Sequence, residues 1–93
     1  MNNFKQNVLQ VVRNIKRGKV MAYAHVAEKA RGPRAARAVG SIMKNNYDPS
    51  VPCHRVVKSD GSIADYNRGG KSKKIELLKS EGAEFVKEGV VKV

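Results

Sequence analysis

The fold of this chain is decided by residues 23–45, which read YAHVAEKARGPRAARAVGSIMKN. Residues 23–30 have the pattern of one helix, and about 33–45 have the pattern of the next. Between them, Gly32 can adopt a positive φ, and Pro33 is suited to the first turn of a helix. A helix, a short glycine turn and an alanine-rich helix together predict a helix-turn-helix.

The flanking sequence adds helices and short extended pieces. Apolar residues at helical spacing predict amphipathic helices over roughly 3–17 and over 72–80. Extended segments are expected at 20–22, 54–57, 63–66, 85 and 90–93. The turn signal at 59–62, which reads SDGS, predicts a β-hairpin. We therefore expect one domain over residues 1–93, mainly α with a small β-hairpin, of the winged-helix-like helix-turn-helix class that binds DNA.

The charge of the chain favours a nucleic-acid partner. The net charge is +11, from 19 Lys and Arg against 8 Asp and Glu. Residues 1–47 hold ten of these bases and one acid, Glu28. Such a field attracts polyanions and speeds their encounter with the protein.

Composition also excludes several classes of protein. No apolar run approaches the ~20 residues of a membrane span, and the first residues lack a signal peptide. The single cysteine excludes an internal disulfide and a cysteine-based zinc cluster, and it fits a reducing compartment. We expect a cytoplasmic protein, nucleoid-associated in a prokaryote, that is a monomer and uses neither membrane, metal nor cofactor.

The alanine-rich helix has few bulky side chains. Its residues Ala35 and Ala36 allow either close packing against another helix or a close approach to a groove, including the narrow minor groove of DNA. In the second interpretation, Arg34, Arg37 and Lys44 contact phosphates or the groove. Arg37 is the most prominent of these, because its neighbours are alanines.

The only cysteine lies in the string Val51-Pro52-Cys53-His54-Arg55-Val56-Val57. A thiol, an imidazole and a guanidinium in succession are the groups that generate a thiolate. A turn that begins at Pro52 is expected to aim backbone N–H groups at Cys53 and to lower the pKa of its thiol. The alternative is a buried structural cysteine. The residue that orients His54 stays open among three glutamates, namely Glu76, Glu81 and Glu84.

A longer set of residues carries a family resemblance. In chain order they are Tyr23, the run Arg34 to Gly40, Asn46, the run Pro52 to Val57, Gly61, Tyr66, Gly69-Gly70, Lys74, Leu77-Leu78 and Glu81-Gly82. Together they resemble the C-terminal, active domain of the O6-alkylguanine-DNA alkyltransferases, also called methylated-DNA–protein-cysteine methyltransferases. The resemblance extends from about residue 3 to residue 82, and the pairing of its Pro-Cys-His-Arg-Val and Ala-Arg-Ala-Val-Gly motifs is specific.

The resemblance implies a DNA repair protein that transfers an alkyl group irreversibly to its own cysteine, once per molecule. The substrate is O6-alkylguanine flipped out of duplex DNA that is bound through the minor groove. Cys53 resembles the acceptor, His54 the base that acts through a water, and Glu81 the carboxylate that orients His54. Asn46 resembles the asparagine that braces the cysteine segment.

The same resemblance assigns the DNA and pocket residues. Arg37 resembles the arginine that fills the gap left by the flipped nucleotide, and Tyr23 the tyrosine beside the 3′ phosphate and the guanine ring. Val56 and Tyr66 resemble pocket walls. Asn67 or Arg68 resembles the residue whose backbone N–H contacts the guanine oxygen.

Some features depart from the family pattern. No N-terminal accessory domain, with any metal it carries, is expected within these 93 residues. Compared with the family pattern, the loop from Met43 to Cys53 is shorter by one residue, and the loop after Tyr66 is longer by one residue. Two alternatives stay open: an alkyltransferase-like damage sensor, although such proteins carry another residue in place of the cysteine, and a basic helix-turn-helix regulator. A cysteine hydrolase is disfavoured, because the charge favours DNA.

Overall fold

A computed structural model describes residues 3–64 and 66–93. Its α-helices are α1 (Phe4–Arg13), α2 (Tyr23–Lys29), α3 (Ala36–Lys44) and α4 (Gly70–Ser80). Its strands are β1 (Met21–Ala22), β2 (Val56–Val57), β3 (Phe85–Lys87) and β4 (Val90–Val91). A 3₁₀ turn, Cys53–Arg55, directly precedes β2. The prediction of a mainly helical fold with short strands is confirmed. Among the described residues, no helix is both long and apolar enough to cross a membrane.

The strands pair differently from the prediction. β1 and β2 lie parallel, with Met21 opposite Val56, and β3 and β4 form an antiparallel hairpin near the end of the chain. The predicted turn at 59–62 does form, with Gly61 N–H donating to the Lys58 carbonyl at 2.8 Å. However, no strand follows it over 63–64 or at 66, and Asp65 lies outside the described residues. Instead, the Gly61 carbonyl accepts from Val91 N–H, so the turn is held by the distant strand β4.

The helix limits also differ from the periodicity. α1 ends at Arg13, because the N–H of Asn14 closes the last turn on the carbonyls of Gln10 and Val11. Ile15 is nevertheless buried. The apolar spacing therefore predicted its burial correctly, although the residue lies beyond the end of the helix. α4 begins at Gly70, two residues earlier than predicted.

The connection between α2 and α3 has an unexpected geometry. Arg31, not Gly32, adopts the positive φ of 70°. α3 begins at Ala36, so Pro33 lies in the connection and not in the first helical turn. Gly32 serves a different purpose, because a Cβ there would lie 2.5 Å from Cε1 of Phe4 in α1. The glycine is therefore required for the close approach of the connection to α1.

This contact yields a stability prediction. Gly32→Ala is expected to lower the free energy of unfolding by about 1–3 kcal/mol, because the new methyl group displaces the Phe4 ring. Gly40→Ala is the matched control, since nothing lies within 4 Å of a Cβ there and a helical Gly→Ala change gains up to about 1 kcal/mol. Urea denaturation of both variants measures the difference. Equal effects of the two substitutions would contradict this account.

Two apolar clusters hold these elements together. The first joins α1, α2 and α3 through Val8, Val12, Val26 and Val39, each fully buried, and it extends to Cys53 and Tyr66. The second packs Leu78 of α4 against Val57, Ile63 and Val91. Burying each such side chain contributes about 1.5–3 kcal/mol. Cys53 is thus packed into the first of these clusters.

Candidate active site

Cys53 is only 3% exposed and lines a cavity of about 560 Å³. Cys53 is the first residue of the 3₁₀ turn. The N–H of Arg55 donates a hydrogen bond to the Pro52 carbonyl at 2.9 Å and so closes this turn. The other residues that line the cavity are Tyr23, Ala24, Ala36, Arg37, Gly40, Met43, Lys44, Lys58, Ser59, Ala64, Tyr66, Asn67 and Lys74. The cysteine therefore borders the same cavity as the alanine-rich helix α3.

A buried polar cluster lies directly behind the cysteine. His54 Nε2 is 3.0 Å from Glu81 Oε2, although 27 residues separate the two in sequence. Arg55 donates to both oxygens of Glu81, from Nε at 3.0 Å and from Nη2 at 2.8 Å. Its Nη1 also donates to the carbonyl of Ile15 at 2.7 Å. Of the three glutamates left open by the sequence, the structure brings Glu81 to His54.

The charges of this cluster follow from its hydrogen bonds. Burial disfavours ionisation of Glu81, but hydrogen bonds from Arg55 and His54 outweigh it and lower the pKa of the carboxyl to about 2. Burial lowers the pKa of His54, so its imidazole is neutral at pH 7. An ionised Glu81 requires a proton on Nε2 of His54, because that nitrogen must donate. Nδ1 is then left with a lone pair and can act as a base.

The predicted thiolate is not the resting state of Cys53. Burial raises the pKa of the thiol above its ordinary value, and the positive charges of Arg68 and Lys74 offset this only in part. The backbone N–H of Cys53 does lower the pKa as predicted, but its effect is smaller than that of burial. The prediction of a pKa below the ordinary value was wrong, because desolvation dominates.

The residues predicted to contact DNA divide into two groups. Ala36, Arg37 and Lys44 belong to α3 and line the cavity with Cys53, and both cations are exposed. Arg34 and Ala35 precede the first turn of α3 and are not among the cavity residues. Arg34 is exposed in the connection from α2, where its charge can meet a phosphate.

Two tyrosines lie on the cavity, as the sequence predicted. Tyr23 is the first residue of α2, and its ring centroid is 5.9 Å from Nζ of Lys74. Tyr66 is 8% exposed and meets His54 edge to face, with ring centroids 6.4 Å apart. Val56 was expected to form a pocket wall, but it is fully buried in strand β2 and does not line the cavity. Its pairing with β1 places it in the core.

Asn46, Asn67 and Arg68 are tied to one another and not to Cys53. Asn46 Oδ1 accepts from the N–H of Asp48 at 3.3 Å, so its described side-chain bond braces its own loop. The side chains of Asn67 and Arg68 both donate to the Asn46 carbonyl. Asn67 lines the cavity, whereas Arg68 does not.

The sequence-based site gave no role to seven of the residues that line the cavity: Ala24, Gly40, Met43, Lys58, Ser59, Ala64 and Lys74. Lys74 is the most unusual, since it is a lysine with 1% exposure on α4. Its spacing of four residues from the fully buried Leu78 was the available signal, because the two share a helix face. Lys58 and Ser59 follow β2, and only the tertiary fold brings them to the cavity.

Comparison with known proteins identifies the family. The model of the family described as "6-O-methylguanine DNA methyltransferase, DNA binding domain" matches residues 3–83. The chain belongs to this family.

Two similar methyltransferases of the 6-O-methylguanine DNA methyltransferase family are longer than this chain. The methylated-DNA–protein-cysteine methyltransferase of Rattus norvegicus is 42% identical over 83 residues, which are 87% of this chain and 40% of that protein. The protein of the same name from Methanothermobacter thermautotrophicus is 42% identical over 80 residues, with corresponding shares of 85% and 44%. The chain thus spans less than half the length of these relatives.

Solved structures in the family share the fold. S. pombe Atl1, in complex with damaged DNA containing O6-carboxymethylguanine, matches with a TM-score of 0.81 at 32% identity, over 100% of this chain and 90% of that chain. Mycobacterium tuberculosis OGT in complex with DNA matches with a TM-score of 0.80 at 35% identity, over 88% of this chain and 51% of that chain. The short strands and small helices therefore form the DNA-binding fold of alkyltransferases and alkyltransferase-like proteins.

Proposed function

We propose that this chain is the active domain of a DNA repair alkyltransferase, which transfers an alkyl group from O6-alkylguanine in DNA to Cys53. The observation that carries the proposal is the shared cavity: a thiol backed by His54 and Glu81 borders the same space as the arginine-bearing helix α3. The family relatives named methylated-DNA–protein-cysteine methyltransferase support the reaction class.

Helices α2 and α3 are proposed to act as the helix-turn-helix that binds the minor groove. The small residues Ala36 and Gly40 leave little side chain between the cavity and a groove. An alkyl group on O6 lies within the base stack, so the nucleotide must be flipped out to reach the thiol. Arg37 fills the gap in the stack, and Tyr23 crowds the 3′ phosphate.

The chemical step exchanges one bond to carbon for another. His54 accepts the thiol proton at Nδ1 through a water, and the resulting imidazolium is stabilised by Glu81. The Cys53 sulfur then forms a bond to the alkyl carbon as the bond from that carbon to O6 breaks. The guanine leaving group takes up the displaced electron pair and a proton from the Tyr23 hydroxyl, while backbone N–H groups near Tyr66 stabilise the developing charge through hydrogen bonds.

The neutral resting thiol fits this sequence of events. A buried thiolate without a substrate is costly, so deprotonation accompanies entry of the damaged base. The product is a thioether, which has no leaving group that could restore the thiol. Each molecule therefore reacts once.

A transfer assay tests the proposal. Incubation with a duplex that contains O6-methylguanine is expected to add one methyl group to the intact protein, on the peptide that holds Cys53. Mass spectrometry of the whole chain and of its peptides measures this. An unchanged mass after prolonged incubation with a duplex that the protein binds would overturn the proposal.

The main alternative is a damage sensor that binds the lesion without transfer. The structural similarity to S. pombe Atl1, which was solved in complex with damaged DNA, supports this alternative. Binding of the lesion duplex without a gain in mass would support it. A monomeric, cytoplasmic, nucleoid-associated single domain stays a prediction in either case.

Substitution of two arginines, one at a time, distinguishes a role in base flipping from a general contribution to DNA affinity. Arg37→Ala is expected to slow single-turnover transfer by about 100-fold, because the unstacking cost of a few kcal/mol is no longer offset. Arg34→Ala is the matched control, and it is expected to weaken binding to any duplex and to reduce the salt slope by about one. Quench-flow transfer and fluorescence anisotropy provide the two readouts. Equal losses of transfer in both variants would remove the special role of Arg37.

A further inference from the structure

The side chains of the two residues that follow Tyr66 reach the end of α3 and the loop beyond it, and Asn67 also lines the cavity. Asn67 Nδ2 donates to the carbonyls of Met43, Lys44 and Asn46, at 3.3, 2.6 and 2.9 Å. Two of these acceptors belong to the last turn of α3, whose final carbonyls have no partner within the helix. Asn67 therefore acts as a C-terminal cap supplied from another part of the chain.

Arg68 extends this connection to the loop that follows α3. Its Nη2 donates to the carbonyls of Asn46 and Asp48, at 3.3 and 2.8 Å. The family resemblance led us to expect that this loop is one residue shorter than usual and that the segment carrying Arg68 is one residue longer. The segment after Tyr66 and the loop after α3 are thus in contact, and Arg68 bridges them.

The positive charge of Arg68 also affects the pKa values of two residues that line the cavity, Cys53 and Tyr66. Among the charges that counter the burial of the Cys53 thiol, that of Arg68 has the largest effect, followed by that of Lys74. Arg68 also opposes the rise that burial causes in the pKa of Tyr66. Several titratable and charged groups face Cys53. Those in direct proximity are His54 in the same turn, Tyr66 and Arg68. The others line the cavity, namely Lys74 of α4, Tyr23, Arg37, Lys44 and Lys58.

We propose that Asn67 and Arg68 are positioning residues for alkyl transfer, which tie the end of the DNA-contacting helix α3 to the Tyr66 wall and hold a positive charge toward Cys53. This inference rests on the proposed function. It has two consequences. A helix α3 seated on DNA is in fixed register with the wall that receives the flipped base. The thiolate that forms during transfer is also stabilised by a cation that is itself held by two carbonyls.

The test uses the whole chain and four variants. Arg68→Ala removes the charge and the bridge, Arg68→Lys keeps the charge, and Asn67→Ala removes the cap. Arg13→Ala is the matched control, because Arg13 approaches the same loop through Asp48 at 3.8 Å but is exposed, and the cations that lower the pKa of Cys53 are Arg68 and Lys74. The readouts are the pH dependence of Cys53 alkylation by iodoacetamide without DNA, single-turnover methyl transfer, duplex affinity and thermal unfolding.

Arg68→Ala is expected to move the midpoint of thiol reactivity upward by about one pH unit and to slow transfer about tenfold, with duplex affinity within about twofold of the wild type. Arg68→Lys is expected to recover most of the shift in midpoint. Asn67→Ala is expected to slow transfer without moving the midpoint. Arg13→Ala is expected to behave as the wild type in all four readouts.

Other outcomes have definite meanings. If the midpoint and the transfer rate of Arg68→Ala match those of Arg13→Ala, the proposal is overturned. It is equally overturned if Arg68→Lys loses as much thiol reactivity as Arg68→Ala, because charge then has no role. If Arg68→Ala does not fold, Arg68→Lys and Asn67→Ala still test the roles of the charge and of the helix cap. If the wild type transfers no methyl group, the proposed function fails, whereas the thiol titration still tests whether Arg68 acts on Cys53.

Discussion

Cys53→Ser is expected to abolish methyl transfer while leaving the lesion duplex bound. A serine hydroxyl is far less acidic than a thiol, and burial of the site disfavours the anion further. Neutral His54 is too weak a base to ionise it, whereas the thiol is within reach of such a base. The side chains have nearly the same size, so the cavity that receives the base is retained.

The measurement is intact-protein mass after incubation with O6-methylguanine DNA, together with anisotropy of a labelled duplex. The expected variant shows no gain in mass and an affinity within about threefold of the wild type, as a volume-conserving change predicts. A methyl group recovered on another residue of the variant would contradict the assignment of Cys53 as the acceptor. Loss of duplex binding in a folded variant would show that the cysteine serves recognition instead.

Glu81→Gln is expected to lower the free energy of unfolding by about 3 kcal/mol at pH 7. The substitution leaves the guanidinium of Arg55, whose side chain is 15% exposed, without its anionic partner. It also removes the carboxylate that holds the proton of His54 on Nε2, so transfer is expected to slow by about 100-fold or more. Glu76→Gln on the same helix is the matched control, because its pair with Lys73 is exposed and contributes about 0–1 kcal/mol.

The pH dependence gives the Glu81 prediction a sign. Folding lowers the pKa of Glu81 from its ordinary value of 4.5 to about 2, so the ionised side chain stabilises the fold fully above pH 4.5. This stability is lost as the pH falls from 4.5 toward 2. The difference between wild type and Glu81→Gln in urea denaturation is therefore expected to shrink over that range. A difference that stays constant down to pH 2.5 would contradict the ion pair as its cause.

Local features of the site were predictable because their determinants are close in sequence. Pro52 restricts the backbone just before Cys53, so a tight turn at the cysteine follows from neighbours alone, and the structure has a 3₁₀ turn there. The helical limits of α2 follow from its own spacing. The basic character of residues 1–47 needs no fold at all.

Features that depend on long-range packing were predicted less well. The hairpin was expected at 59–62, but the turn there is held by a hydrogen bond from Val91 to Gly61. The residues near the turn in sequence do not predict this contact. Gly32 was identified as able to adopt a positive φ, but Arg31 adopts one instead, and Gly32 lies against Phe4. In both cases a correct turn residue was identified, and a distant contact decided how it is used.

The sequence by itself predicted the proposed acceptor thiol, its turn, the imidazole next to it and the basic helix, since each depends on residues within a few positions of one another. Only the tertiary structure decided that Glu81 is the partner of His54, that Lys74 is buried and that Arg68 bridges to the loop after α3. It also decided that the resting thiol is neutral. Desolvation and ion pairing act through space, and they sum over all elements that surround a group, so no short stretch of sequence contains them.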